Sequence, residues 1–207
     1  MFTPTNSKTA FALLLACACP VLAPSAELTG KVTAAANGRG LAGAIVYVVS
    51  GVPPSSAPPQ RETPTLTVRG GRLDPQVLVV KAGESFTVTN ADRDNYNFHV
   101  LFRENTERNK ALMFGSETSI KTDRPELFAR VSEDLGRLHG YVCVLENRIY
   151  SLTDVTGAFR LPDLPAGTYT IEAAHPREGR FKREITAGGA NAAADFALPG
   201  RPKTKTP

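Results

Sequence analysis

Leu73-Asp74-Pro75-Gln76-Val77-Leu78-Val79-Val80-Lys81-Ala82-Gly83-Glu84-Ser85-Phe86-Thr87-Val88-Thr89-Asn90 is the stretch whose reading decides the fold. A short apolar run, Val77 to Lys81, meets a break at Ala82-Gly83. The segment Ser85 to Thr89 then alternates large and small side chains. Runs of this length, rich in Val, Phe and Thr and bounded by Gly, Pro and Asn, are strands. Downstream, Tyr96, Phe98, Val100 and Phe102 share one face of a further strand, while Asn97 and His99 point the other way.

The same texture extends along the chain. Strands are expected at Leu28 to Thr33, Ala44 to Ser50, Thr65 to Val68, Phe98 to Phe102, Tyr141 to Leu145, Ala158 to Leu161, Tyr169 to Ala173 and Lys182 to Thr186, with a strand pair ending at Phe196-Ala197-Leu198. Helical periodicity is nearly absent, and Asn105 to Leu112 is the one stretch that reads as a possible helix. The fold class is therefore all-β, of sandwich type.

From Pro75 to Asp92 the residues fit the pattern P-x-x-L-x-V-x-x-G, then N-x-D, and Tyr96-Asn97-Phe98-His99 follows in the place of H-N-V-H. This resembles the cupredoxin-like proteins of bacterial methylamine-utilisation clusters, a plastocyanin-like Greek-key β-sandwich. That family holds type 1 copper with a His before the strand, then Cys, His and Met on one later loop, and soft thiolate with imidazole selects copper. Here Tyr96 stands at the first His. Aligning on Gly140-Tyr141-Val142 puts Ser132 at the Cys, Leu135 at the second His and Leu138 at the Met. The resemblance implies a packed end in which Tyr96 fills the interior and Leu135 and Leu138 cap it, with no metal and no other cofactor. The rival reading is a copper electron-transfer protein of that family.

Gly30-Lys31-Val32-Thr33 through Ala44-Ile45-Val46-Tyr47-Val48, with Thr153-Asp154-Val155-Thr156-Gly157-Ala158-Phe159 and Pro165-Ala166-Gly167-Thr168-Tyr169, resembles a carboxypeptidase regulatory-like domain, a transthyretin-type sandwich. Two strands cannot close a core alone. The expected division is a discontinuous sandwich, 27–51 plus 149–199, with the cupredoxin-like unit 65–148 inserted, a Pro- and Ser-rich linker at 52–64, and a basic tail at 200–207. Two adjacent domains with a loose N-terminal hairpin is the alternative.

Residues 1–26 combine Lys8, the apolar run Ala10 to Ala16 and a small-residue end at Ser25-Ala26, the layout of an export signal cleaved after Ala26. Leu14-Leu15-Ala16-Cys17 also resembles a lipobox, which would lipidate Cys17. Both place the chain in the periplasm or outside the cell, and only the second implies a membrane anchor. Loss of the leader would leave Cys143 as the single cysteine, read as an inert core residue.

The chain has 24 Lys and Arg against 20 Asp and Glu, a net charge of +4. The basic residues are scattered and do not interleave with aromatics, which argues against a nucleic-acid partner. No nucleophile elbow, zinc-binding HExxH or phosphate loop is present. The reading is thus a non-enzymatic binding or assembly module whose partner is another periplasmic or envelope protein. An accessory domain in carbohydrate or peptide metabolism is the further alternative. Candidate binding surface is the loop region 103–140 and the face of Asn97, His99, Arg137 and His139. Glu133 and Asp134 read as solvated loop charges, and His175 as a strand-end residue.

Overall fold

The computed structural model describes residues 25–52, 62–188 and 191–200. All its regular elements are strands: β1 Ser25–Ala34, β2 Ile45–Ser50, β3 Thr65–Arg69, β4 Arg72–Asp74, β5 Val77–Lys81, β6 Ser85–Asn90, β7 Tyr96–Leu101, β8 Arg108–Leu112, β9 Glu117–Lys121, β10 Glu126–Glu133, β11 Gly140–Leu145, β12 Tyr150–Leu152, β13 Ala158–Pro165, β14 Gly167–His175, β15 Gly179–Ala187, β16 Ala192–Ala193 and β17 Phe196–Leu198. The all-β expectation holds.

They form four sheets. β13, β1 and β16 make one, with β17 also paired to β1; β12-β2-β14-β15 make the second. These two enclose a core built on Leu28, Val32, Val46, Phe159, Tyr169, Ile171 and Phe196. The third sheet is β4-β3-β6-β9 and the fourth β5-β11-β10-β7-β8. Between them lies a second core, which includes Leu66, Phe86, Tyr96, Phe98, Val131 and Val142.

A third apolar layer joins the two sandwiches. Ile45 and Tyr47 of β2, Val79 of β5, Cys143 and Leu145 of β11 and Ala174 of β14 meet there. Their neighbours Val46, Val80, Val144 and Ala173 point into the two sandwich cores. This follows from the two-residue period of a strand: apolar at nearly every position, β2, β5 and β11 can feed a different core from each face. Around these strands the β12-β2-β14-β15 sheet and the β5-β11-β10-β7-β8 sheet thus carry apolar side chains on both faces. Phe128 of β10 meets Tyr141 of the adjacent strand β11 edge-on, with ring centroids 5.6 Å apart.

Local chemistry fixes the turns. Asp154 accepts hydrogen bonds from the Thr156 amide at 2.8 Å, the Thr156 hydroxyl at 2.7 Å and the Ala158 amide at 3.0 Å. Gly157 follows at φ 84°, where a Cβ would also collide with the Val32 carbonyl. Only glycine fits that position.

Several expectations need correction. Asn105 to Leu112 is not helical: Arg108–Leu112 is strand β8, paired residue for residue with Tyr96 to Val100. The region 103–140 is not one exposed loop, because β8, β9 and β10 occupy much of it and β10 is central in its sheet. Expected boundaries also meet the structure unevenly. Residues 1–24, most of the linker (53–61) and most of the tail (201–207) lie outside the described residues, as do Cys17 and Cys19. β1 already includes Ser25 and Ala26, and Ala26 is buried opposite Leu164.

Candidate functional site

One end of the β3–β11 sandwich gathers the residues to which the sequence points. Its organiser is Asn90, the buried last residue of β6. The Asn90 amide nitrogen donates to the carbonyls of Asp94 at 2.7 Å and Leu112 at 3.0 Å, and its Oδ1 accepts from the Asp92 amide at 2.9 Å. A buried side-chain amide holds a loop in place only when both its ends are satisfied, as they are here. The β6–β7 loop is thereby tied to the end of β8.

Asp92 then reaches across to the β3–β4 turn. Its carboxylate accepts the amides of Gly70 at 2.5 Å and Gly71 at 2.8 Å, and the Tyr96 hydroxyl at 2.8 Å. These bonds, the Gly71 amide foremost, hold the Asp92 carboxyl below the usual range. Tyr96 heads β7 and is buried, and burial followed by its bond to Asp92 pushes its phenol up to about 12. It is a neutral donor.

The β10–β11 loop closes the end. Val131 and Ala129 point into the core, so strand alternation sends Glu133 inward as well, and it is buried at the strand's end. Its carboxylate accepts the amides of Leu135 at 2.9 Å and Arg137 at 2.5 Å. Burial raises the Glu133 pKa, but these amides and the Arg137 guanidinium outweigh it, and the group sits below its ordinary value. Arg137 Nε lies 3.5 Å from Glu133, its NH1 lies 3.7 Å from Asp94, and its guanidinium covers the Tyr96 ring at 4.9 Å from the centroid. The shallow hollow among these groups has a volume of about 400 Å³.

The expected candidates divide between two faces. Asn97 donates to Asp134 Oδ2 at 2.7 Å, and His99 Nε2 lies 2.7 Å from Asp134 Oδ1, with Ser132 paired beside His99 on β10. Asn97, His99 and Asp134 thus form a bonded surface group. Arg137 belongs to the Tyr96 cluster, and His139 is exposed on the same loop. Leu138 is buried in the core as expected. Leu135 is not a cap: it is 74% exposed, because its amide is bound to Glu133 and its side chain turns outward. Ser132 does not face Tyr96 either; the inward position at the end of β10 is Glu133.

Sequence reasoning passed over Glu133, Asp94 and the organising part of Asn90. Glu133 is not the solvated loop charge expected of the pair: it is buried, and only Asp134 is exposed. Carrying the Ala129, Val131, Glu133 alternation one step further is the signal that finds it. His175 ends β14 and is buried, and desolvation, then nearby Arg177, lowers its pKa. Cys143 is a free, buried thiol in the layer between the sandwiches, pushed up to about 12 by burial.

These side chains do not fit a type 1 copper ion. The Tyr96 proton is committed to Asp92, the Arg137 cation lies over the ring, Ser132 faces away and Leu138 has no donor atom. Among the described residues, no cluster of three or more His, Cys, Asp or Glu side chains is placed to hold a metal.

No family model and no curated protein matches the sequence. Similar solved structures include amicyanin from Paracoccus versutus, 14% identical over 48% of this chain and 96% of that one, with a TM-score of 0.36. The Cu-containing nitrite reductase from Thermus scotoductus SA-01 is 15% identical over 48% of this chain and 26% of its own, with a TM-score of 0.39. The purple cupredoxin from Nitrosopumilus maritimus is 16% identical over 39% and 97%, with a TM-score of 0.34. The likeness covers about half of this chain or less, and nothing about ligand or activity follows from it.

Proposed function

We propose that the chain is an exported, non-catalytic binding or assembly module of the cell envelope. In this reading residues 27–51 and 149–199 form a carboxypeptidase regulatory-like host, and 65–148 form a cupredoxin-like insert whose metal end has become a contact surface. The observation that carries it is the exposure of Met113, Phe114 and Leu135, at 53, 62 and 74%. All three sit on the loops that flank Tyr96. Met113 and Phe114 follow Leu112, which pairs with Tyr96, and the Phe114 amide is held by Asn95 at 3.0 Å. Large apolar side chains on pinned loops suit a protein partner better than solvent.

The charges beneath them favour this reading over catalysis. Arg137 is paired with both Glu133 and Asp94, and the Tyr96 hydroxyl is spent on Asp92. Around Tyr96, that leaves no free base beside a nucleophile. A photo-crosslinking residue at Phe114, in the organism's own envelope, tests the proposal. The expected result is one discrete protein adduct, lost when Leu135→Asp is added and absent when the probe sits at exposed Val155. Copper taken up one-to-one with a strong visible band would overturn the reading in favour of electron transfer. Glycan in place of protein on the crosslinker would favour the accessory-domain alternative.

A further inference from the structure

Strand β15, Gly179–Ala187, is the longest edge strand among the described residues. It is nine residues long, pairs with β14 without a bulge from Gly167↔Ala187 to His175↔Gly179, and has no second strand partner among the described residues. Such an edge presents a row of backbone donors and acceptors to any chain that can pair with it, and proteins usually blunt it with proline, a bulge, shortness or charged side chains. β15 has the charges, at Arg180, Lys182, Arg183 and Glu184, but neither proline, bulge nor shortness. Phe181 lies on it at 46% exposure. It points to the core side, but the facing sheet ends there in the short strands β16 and β17, so the ring is left half covered.

We propose that this edge pairs with β15 of a second copy of the chain, antiparallel, about a two-fold axis through Arg183. The sequence Gly179-Arg180-Phe181-Lys182-Arg183-Glu184-Ile185-Thr186-Ala187 is self-complementary in that register. Lys182 falls opposite the partner's Glu184, and Glu184 opposite the partner's Lys182. Phe181 falls opposite the partner's Ile185, and Ile185 is already packed on the core of its own sandwich. Two attractive ion pairs and two apolar pairs are thus created at once, and cross-strand pairs of both kinds stabilise antiparallel sheets. The residue on the axis does not oppose it. Arg183 is drawn onto its own sandwich, where NH1 donates to the Asp195 carbonyl at 3.3 Å and the guanidinium lies 5.9 Å from the centre of the Phe196 ring. Shifting the register by two residues, to centre on Lys182, would set that cation against itself and Phe181 against Arg183. The β12-β2-β14-β15 sheets of two copies become one continuous sheet, and the half-covered Phe181 is buried.

The test is sedimentation of the secreted protein with charge-reversed variants. Wild type is expected to sediment as a dimer at micromolar concentration. Lys182→Glu alone and Glu184→Lys alone each oppose like charges twice and should weaken dimerisation about tenfold or more. The double variant Lys182→Glu/Glu184→Lys restores the pairing with the signs exchanged, and should dimerise like wild type. Mixing the two single variants should yield heterodimers from proteins that are monomeric apart. Because both variants lie on exposed side chains, near-native thermal melting of each is expected, and the mixing experiment reads out pairing regardless of small losses. A monomeric wild type, or a dimer indifferent to both reversals, overturns the proposal. So does a wild type that dimerises only when residues 201–207 are deleted, since the edge would then belong to the chain's own tail.

Discussion

The Tyr96 hydroxyl donates to Asp92 across 2.8 Å while the same carboxylate takes the amides of Gly70 and Gly71, so one core side chain and one loop carboxylate lock two turns together. Tyr96→Phe keeps the ring, the packing and the Arg137 contact and removes only the donated proton. A hydrogen bond to a charged acceptor is worth about 1.5–3 kcal/mol when buried; with Asp92 half exposed, a loss of about 1–2 kcal/mol is expected. Urea unfolding of the two proteins side by side measures it, and an unchanged midpoint would show that the bond is idle.

Glu133 anchors the β10–β11 loop from beneath. Glu133→Ala leaves the Leu135 and Arg137 amides without their acceptor and removes the counter-charge closest to Arg137. The expected cost is about 2–3 kcal/mol, below that of breaking a fully buried pair because Arg137 is partly in water. Amide exchange should quicken at Leu135 and Arg137 before any change at Val142.

Rebuilding copper ligands from the sequence alignment should fail. With Tyr96→His, Ser132→Cys, Leu135→His and Leu138→Met, the new thiol stands beside His99 on the outer face and the second imidazole points to solvent. The prediction is a folded protein without a blue absorption band on addition of copper. A band of that kind would show that β10 can shift by one residue.

How much of this end could be read beforehand is clear from β10. The strand reads Glu126-Leu127-Phe128-Ala129-Arg130-Val131-Ser132-Glu133, and the pairing slips between Glu126 and Ala129, where Phe128 adopts φ 57°. Downstream of that slip the alternation is regular: spacing counted back from Gly140-Tyr141-Val142 lands on Ser132, whereas alternation from Ala129 and Val131, which face the core, leads to Glu133. β5 has no such break, and its limits, Val77 to Lys81, come straight from the apolar run. β8 was unreadable for another reason. Arg108-Asn109-Lys110-Ala111-Leu112 is an edge strand with mostly exposed side chains and buries only Leu112, so neither period is written in it.

Cys143 should be silent toward thiol reagents while the protein is folded. Its thiol is fully buried between the sandwiches and pushed up to about 12, and only the thiolate reacts. Mass spectrometry after maleimide treatment should find Cys143 unmodified in buffer and fully labelled in denaturant. Rapid labelling in buffer would mean that the two sandwiches separate readily.

Acid should weaken the fold in two stages. The His175 pKa is lowered by desolvation and then by Arg177, so the fold holds the neutral ring. Its contribution is complete above the unfolded value of about 6.5 and is lost as pH falls through the lower folded value. Asp154, depressed chiefly by the Thr156 hydroxyl, and Asp92, depressed chiefly by the Gly71 amide, contribute fully above about pH 4 and are lost as pH falls through their folded values. Urea midpoints recorded from neutral to acid pH should therefore fall twice. His175→Gln should erase the first fall and leave the second.

The strand pairing also dictates an order of events during synthesis. Among the described residues, the strands that pair with β1 are Ala158–Pro165, Ala192–Ala193 and Phe196–Leu198, and those that pair with β2 are Tyr150–Leu152 and Gly167–His175. Each strand from β3 to β11, by contrast, pairs within that group. As the chain emerges N-terminus first, its opening strands must wait, unmatched and rich in valine and isoleucine, until the last third arrives. The middle can fold in the meantime and bring Ser50 and Tyr150 close, which shortens the loop that the waiting strands have to close. The later-starting sandwich is thus the template on which β1 and β2, made before it, are the last to settle.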